Sequence, residues 1–183
     1  MSGMLPLILL LAVPLAPDRQ KVDPASAAIA DFSRRVDGYV KARKAVEAQL
    51  PALKPTNSPE QIEQREHALA DAIRQARRDA RHGDIFTPEI TAEFRRLIEN
   101  TMHGPEAARV RQSLRSGSPV APRAISVNAS YPPAQPLQST PPSLLANLPP
   151  LPHGLDYRLI GRSLILRDVE ANLILDFIPN VIS

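Results

Sequence analysis

Three carboxylates cluster near the end of the chain. Asp168 and Glu170 flank Val169, and Asp176 lies eight residues beyond Asp168. Paired carboxylates move protons or hold hard cations. On that pattern one candidate function is a small hydrolase acting on an envelope polymer, with Asp168, Glu170 or Asp176 working beside a histidine. The surrounding sequence argues against it. No glycine-bent loop accompanies these acids and no further oxygen ligands follow at cation-binding spacing, so ordinary turn chemistry accounts for them.

The other reactive residue types are sparse. The four histidines are His67, His82, His103 and His153. His67 and His82 fall on one expected helix, about 22 Å apart along its axis, too far to share a metal. The chain has no cysteine, which excludes disulfides, cysteine-ligated zinc, a thiolate nucleophile and a lipid-bearing cysteine. Zinc-protease, EF-hand, phosphate-loop, dinucleotide-binding and serine-elbow patterns are all absent from the sequence. Asn128-Ala129-Ser130 matches a glycosylation acceptor, a pattern short enough to arise by chance. The expectation is therefore no catalytic residue, no metal and no cofactor, and an interaction or structural role rather than an enzymatic one.

Charge points away from nucleic acid. The net charge is +3, and the cations are 18 Arg with only 4 Lys. Residues 60–115 hold ten Arg against ten Asp and Glu, a balanced stretch and not a cationic stripe. The seven aromatic residues are scattered, with no stacking platform. The hydrophobic share of 43% against 22% charged residues marks a globular chain.

The elements that must position these side chains begin with a leader. Leu5 to Ala16 is an unbroken apolar run of twelve, the length of a secretory core and too short to span a bilayer as a helix. Pro6 and Pro14 also oppose a membrane helix. Ala25-Ser26-Ala27 offers small residues for cleavage, and residues 1–27 are expected to be a signal peptide. Ala16 is a second cleavage point, disfavoured by Pro17. No Lys or Arg precedes the run. The expected location is periplasmic or secreted, in a bacterial envelope, with no transmembrane segment in the mature chain.

Residues 28–115 carry helical periodicity. Ile29, Phe32, Val36, Tyr39, Val46, Leu50 and Leu53 form one apolar face, with a gap at Arg43, and Pro51 and Pro55 end it. Ser58-Pro59 opens a second helix with Gln61 placed for a capping box. Its face is Ile62, Leu69, Ile73, Ala76 and Ala80. Arg77, Arg78, Arg81, His82 and Gly83 read as its cationic last turn and stop. Thr87-Pro88-Glu89 starts a third helix bearing Ile90, Phe94, Leu97, Ile98 and Met102, broken at His103-Gly104. A shorter fourth segment with Val110 and Leu114 ends near Ser116.

Residues 116–153 hold ten of the twenty prolines, which bars helix and central strand and makes this a connector. Ala124–Val127 reads as a short edge strand. Ser143–Leu148 reads as one or two helical turns plugging an apolar groove.

Residues 154–183 alternate as a three-stranded antiparallel meander. With Gly161-Arg162 as the first loop, Leu159 faces Leu164, Tyr157 faces Leu166 and Asp156 faces Arg167. With Glu170-Ala171 as the second, Leu166 faces Leu175 and Leu164 faces Phe177. One face then collects Leu155, Tyr157, Leu159, Leu164, Leu166, Leu173, Leu175 and Phe177. The other mixes the charges Asp156, Arg158, Arg167 and Asp176 with Ile160, Ile165, Ile174 and Ile178. Three strands need a cover over such a face, either the helices or a partner. These eight residues are thus the candidate interaction surface, and a protein partner or homo-oligomer is expected. The fold class is α+β: an antiparallel helical region of three or four helices, a proline-rich connector and a C-terminal meander.

Overall fold

The computed structural model of the chain describes residues 23–52, 55–103, 107, 108, 112, 125–132 and 141–182. Helix α1 runs Pro24–Glu47, α2 Pro59–Ala76 and α3 Pro88–His103. A single turn, α4, spans Pro142–Leu145. Strands β1 (Leu155–Ile160), β2 (Ser163–Asp168) and β3 (Leu173–Ile178) form one antiparallel sheet in the order β1-β2-β3. The layout is α+β. Most of the fourth expected helix and much of the connector lie outside the described residues.

α1 starts four residues ahead of the expected Ala28. The Asp23 side chain caps it, accepting from the Ser26 amide at 3.0 Å, and Pro24 sits in the first helical turn, where its missing N–H costs nothing. The helix buries Ala28, Phe32, Val36, Tyr39 and Arg43. The gap at Arg43 is therefore part of the inward face, not a break in it. Leu53, expected on this face, lies outside the described residues.

α2 is capped by Ser58, whose hydroxyl accepts from the Gln61 amide at 3.3 Å. The reciprocal half of the expected box is replaced: the Ser58 amide donates to Thr56 Oγ1 at 3.1 Å. Leu69, Ala70 and Ile73 are buried, while Ile62 is half exposed. The helix stops at Ala76, sooner than its cationic tail suggested, because Arg77 turns inward to bond other parts of the chain. α3 begins and ends where Thr87-Pro88 and His103-Gly104 predict, and buries Ile90, Phe94 and Ile98.

All three long helices lie on one face of the sheet. α1 packs against both α2 and α3. The Phe32 and Phe94 rings meet at 4.9 Å and both approach the Tyr157 ring on β1. Leu144 and Leu148, around α4, enter the same core. The helices and the meander share that core, each covering the apolar face of the other. Among the described residues no helix is long and apolar enough to cross a membrane.

The β1–β2 hairpin has the predicted register: Leu159 pairs with Leu164, Tyr157 with Leu166 and Asp156 with Arg167. The β2–β3 hairpin keeps it only beside its turn, where Asp168 pairs with Leu173 and Arg167 with Ile174. Leu164 pairs with Ile178 and Leu166 with Asp176, and the register shifts between Leu166 and Arg167. Leu175 is the extra residue of a β-bulge, which a strict alternation cannot reveal. Two corrections follow. Phe177 leaves the helix-facing set and joins the opposite face, where Ile178 was expected; Ile178 takes its place in the main core. Asp176, expected among outward charges, follows Leu175 onto the helix side and is wholly buried.

The opposite sheet face is covered in part by residues 125–132. Tyr131, Ile160, Ile165 and Ile174 are buried together there, with Ile125, Ala129 and Phe177 packed against them. The guanidinium of Arg167 lies 4.7 Å from the centre of the Tyr131 ring. The expected edge strand at Ala124–Val127 is displaced along the chain. The segment pairs with β3 around Ser130, opposite Leu173, and Asn128, Ala129 and Tyr131 supply the backbone bonds.

That segment covers only the first half of the β3 edge. Further on, Arg77 donates to the Leu175 carbonyl at 3.2 Å, and His82 Nε2 lies 2.9 Å from the Phe177 carbonyl. Side chains thus take over from backbone in blunting the sheet edge.

Candidate functional site

The densest polar cluster joins α1 to the β2–β3 turn. Its base is the apolar stripe of α1, which carries Tyr39 and Arg43 one turn apart toward the sheet. Tyr39 donates its hydroxyl to Asp168 Oδ2 at 2.6 Å. Arg43 Nε lies 3.2 Å from the same oxygen, an ion-pair contact without hydrogen-bond alignment. The Arg43 fork also donates to the Glu170 carboxylate. Asp168 Oδ1 accepts from the amides of Glu170 and Ala171 at 3.0 and 2.9 Å. Asp168 is fully buried and Arg43 nearly so, so each charge depends on the other. Burial, then the Asp168 charge, pushes the Tyr39 hydroxyl far above its ordinary range and keeps it protonated.

Gly154 closes the cluster. It sits at φ +86°, and a Cβ there would fall 2.6 Å from Arg43 Nη1. Its carbonyl accepts from the Val169 amide at 2.8 Å. Only glycine fits both the backbone and the close approach.

A second carboxylate is organised differently. Among the described residues Asp176 takes its hydrogen bonds from main-chain amides. Its Oδ2 accepts from the Ile85 and Phe86 amides at 2.9 and 2.8 Å. Its Oδ1 accepts from Gly83 at 3.1 Å and from Phe177 at 2.9 Å. The loop between α2 and α3 wraps this carboxylate and so points α3 at the sheet.

Arg77 and Asn128 form a third junction. Arg77 Nη1 donates to Asn128 Oδ1 at 3.1 Å, and Asn128 Nδ2 donates back to the Arg77 carbonyl at 2.9 Å. The Arg77 guanidinium also lies 5.2 Å from the centre of the Tyr39 ring. Burial pulls the Arg77 pKa down. Asn128 has φ +64°, a conformation asparagine tolerates better than most residues.

The sequence-derived candidates distribute as follows. Leu155, Tyr157, Leu159, Leu164, Leu166, Leu173 and Leu175 are all buried in the core shared with the helices, and Phe177 lies on the far face. Of the two covers weighed for that face, the chain's own helices supply it. Asp168 and Glu170 meet at Arg43, while Asp176 belongs to its own amide cradle. Among the described residues no histidine bonds to any of the three acids: His67 is near Glu63, His82 contacts the Phe177 carbonyl, and His103 Nδ1 lies 3.0 Å from the Glu99 carbonyl. Among the described residues no three His, Asp or Glu side chains converge as metal ligands.

Both oxygens of Asp168 and of Asp176 already carry donors, so neither carboxylate presents a lone pair to a substrate. The side chains that matter most to this arrangement, Tyr39, Arg43 and Arg77, left one trace in the sequence: a cation at a core position of α1.

A groove of about 720 Å³ opens elsewhere, between the N-terminal halves of α1 and α3. Pro24, Ala25, Ala27, Ala28 and Ala92 give it a small-residue floor. Charges rim it, with Arg34 paired to Asp31 and Arg96 paired to Glu93.

Comparison with protein-family models, with curated proteins and with solved structures gives no match.

Proposed function

We propose that the protein is an exported bacterial envelope protein with a non-enzymatic interaction or structural role, periplasmic or secreted after loss of its apolar leader. The observation that carries this reading is the joining of a twelve-residue apolar run at Leu5–Ala16 to a domain whose buried acids hold its own loops and helices together. Asp168 and Asp176 act as internal fasteners, and an envelope protein without disulfides depends on such packing and polar clamps. The sheet's apolar face serves the chain's own core, so a partner, whether another protein or a second copy, meets the helical or connector surfaces. A hydrolytic role for Asp168, Glu170 and Asp176 is the weaker reading, since two of them are saturated with donors and the third is tied to Arg43.

The test is expression of the full-length chain in a bacterial host, with mild crosslinking, separation of periplasm from cytoplasm and native mass spectrometry. The expected species is shortened at its N-terminus, found outside the cytoplasm, and present as a homo-oligomer or a stoichiometric complex. A full-length cytoplasmic monomer overturns the reading.

A further inference from the structure

The start of α1 bears on where the leader ends. Asp23 Oδ2 accepts from both the amide and the hydroxyl of Ser26, at 3.0 and 3.1 Å, and the Asp23 carbonyl accepts from the Ala27 amide at 2.9 Å. These bonds satisfy amides that a helix start otherwise leaves open. The Ser26 amide is the main cause holding the Asp23 carboxyl below its ordinary range. Pro24 fixes the backbone of the first turn. Ala28 is buried beside Phe32 in the main core, and Pro24, Ala25 and Ala27 form part of the groove wall facing Ala92 of α3.

A cut after Ala27 would strip away the cap and the whole first turn. It would also place a new α-ammonium group on buried Ala28, at the positive end of the helix dipole. Ala25 and Ala27, two of the small residues that resemble a peptidase site, line the groove between α1 and α3.

We propose that Asp23–Ala27 belong to the working folded domain, that Ala25-Ser26-Ala27 is a helical turn and not a processing site, and that any removal of the leader occurs ahead of Asp23. This rests on the export reading only for the existence of a cut. Without a cut the turn is retained all the same.

The experiment is intact-mass measurement of the purified product of the full-length gene carrying a C-terminal tag, beside its Ala27→Leu and Asp23→Ala variants. A large residue immediately before the scissile bond blocks cleavage at a small-residue site. The expected result is a chain that begins between Pro17 and Asp23, with an unchanged start in Ala27→Leu. A chain beginning at Met1 also keeps the turn and supports this inference, while overturning leader removal in the export reading. A chain beginning at Ala28, or processing abolished by Ala27→Leu, overturns the inference and leaves export standing. Asp23→Ala provides a second readout: its melting temperature falls by about 2–4 °C if the cap serves the folded domain. An unchanged melting temperature counts against the inference.

Discussion

Asp168 and Asp176 stand at opposite ends of the β3 region, both wholly buried, yet they are compensated in different ways. Asp168 faces a cation and a phenol, Arg43 and Tyr39, supplied by a helix about 125 residues earlier. Asp176 faces backbone amides, mostly from one loop, while the nearby Arg77 guanidinium acts on it through charge and spends a hydrogen bond on the Leu175 carbonyl instead. The first is a tie among three side chains across the core. The second moulds a loop around a fixed point. Removing a partner from the first strands a charge; removing the carboxylate from the second strands dipoles. Charges cost more to bury unpaired than amides do.

The largest expected effect comes from Asp168→Ala. It takes away the wholly buried counter-ion of Arg43, leaving the half-exposed Glu170, and should cost about 3–5 kcal/mol, measured by urea unfolding. A double cycle with Arg43→Met should recover part of that loss, since the second change removes the stranded cation. If the two changes add without coupling, Asp168 is not the charge partner described above.

Asp176→Ala comes next, at about 2–3 kcal/mol, because amides of the 83–86 loop lose their acceptor. Hydrogen exchange should show selective loss of protection at Ile85 and Phe86. Uniform loss over the whole chain would erase the distinction between tie and mould.

Gly154→Ala sharpens the Asp168 side of the comparison. The added Cβ meets Arg43 Nη1 and a positive φ together, and about 1–3 kcal/mol should be lost. The loss should shrink in an Arg43→Met background, where the guanidinium no longer occupies the space.

The mildest effect is a pH dependence. Burial raises the pKa of both Tyr39 and Tyr157 above the ordinary value of 10.0. The folded state then keeps protons that the unfolded chain releases. Their stabilising contribution is complete below pH 10 and is lost as pH climbs beyond it, by at most about 1.4 kcal/mol per pH unit for each tyrosine. Tyr157→Phe should flatten this alkaline slope. Tyr39→Phe should flatten it too, while also removing one donor from Asp168, so its midpoint at neutral pH drops as well.

The sequence made the elements with strong local signals easy to read. Ser58-Pro59 and Thr87-Pro88 announced two helices, and Gly161-Arg162 set the first hairpin to the residue. The second hairpin failed because a bulge at Leu175 adds one residue without changing composition, and every side chain beyond it moves to the other face. That is why Phe177 and Asp176 exchanged sides between expectation and structure. The start of α1 was hidden by a conflict of patterns, since Ala25-Ser26-Ala27 suits both a peptidase and a helix–helix groove. The polar clamps were hardest to see. Arg43 looked like an interruption in an apolar stripe, and nothing local links it to a carboxylate 125 residues away. Three of the acids that suggested chemistry were recognised as a group, but their roles depend on partners that only the tertiary fold supplies.

The Tyr39–Asp168 bond joins residues separated by 129 positions, and this sets an order of events in time. A nascent chain emerges from the ribosome with α1 complete long before β2 exists. Until the last thirty or so residues appear, Arg43 has no buried counter-ion and Phe32 has no sheet to lie on. The helices lack the sheet that completes their core until then, so the full native core forms only after the last strand is made.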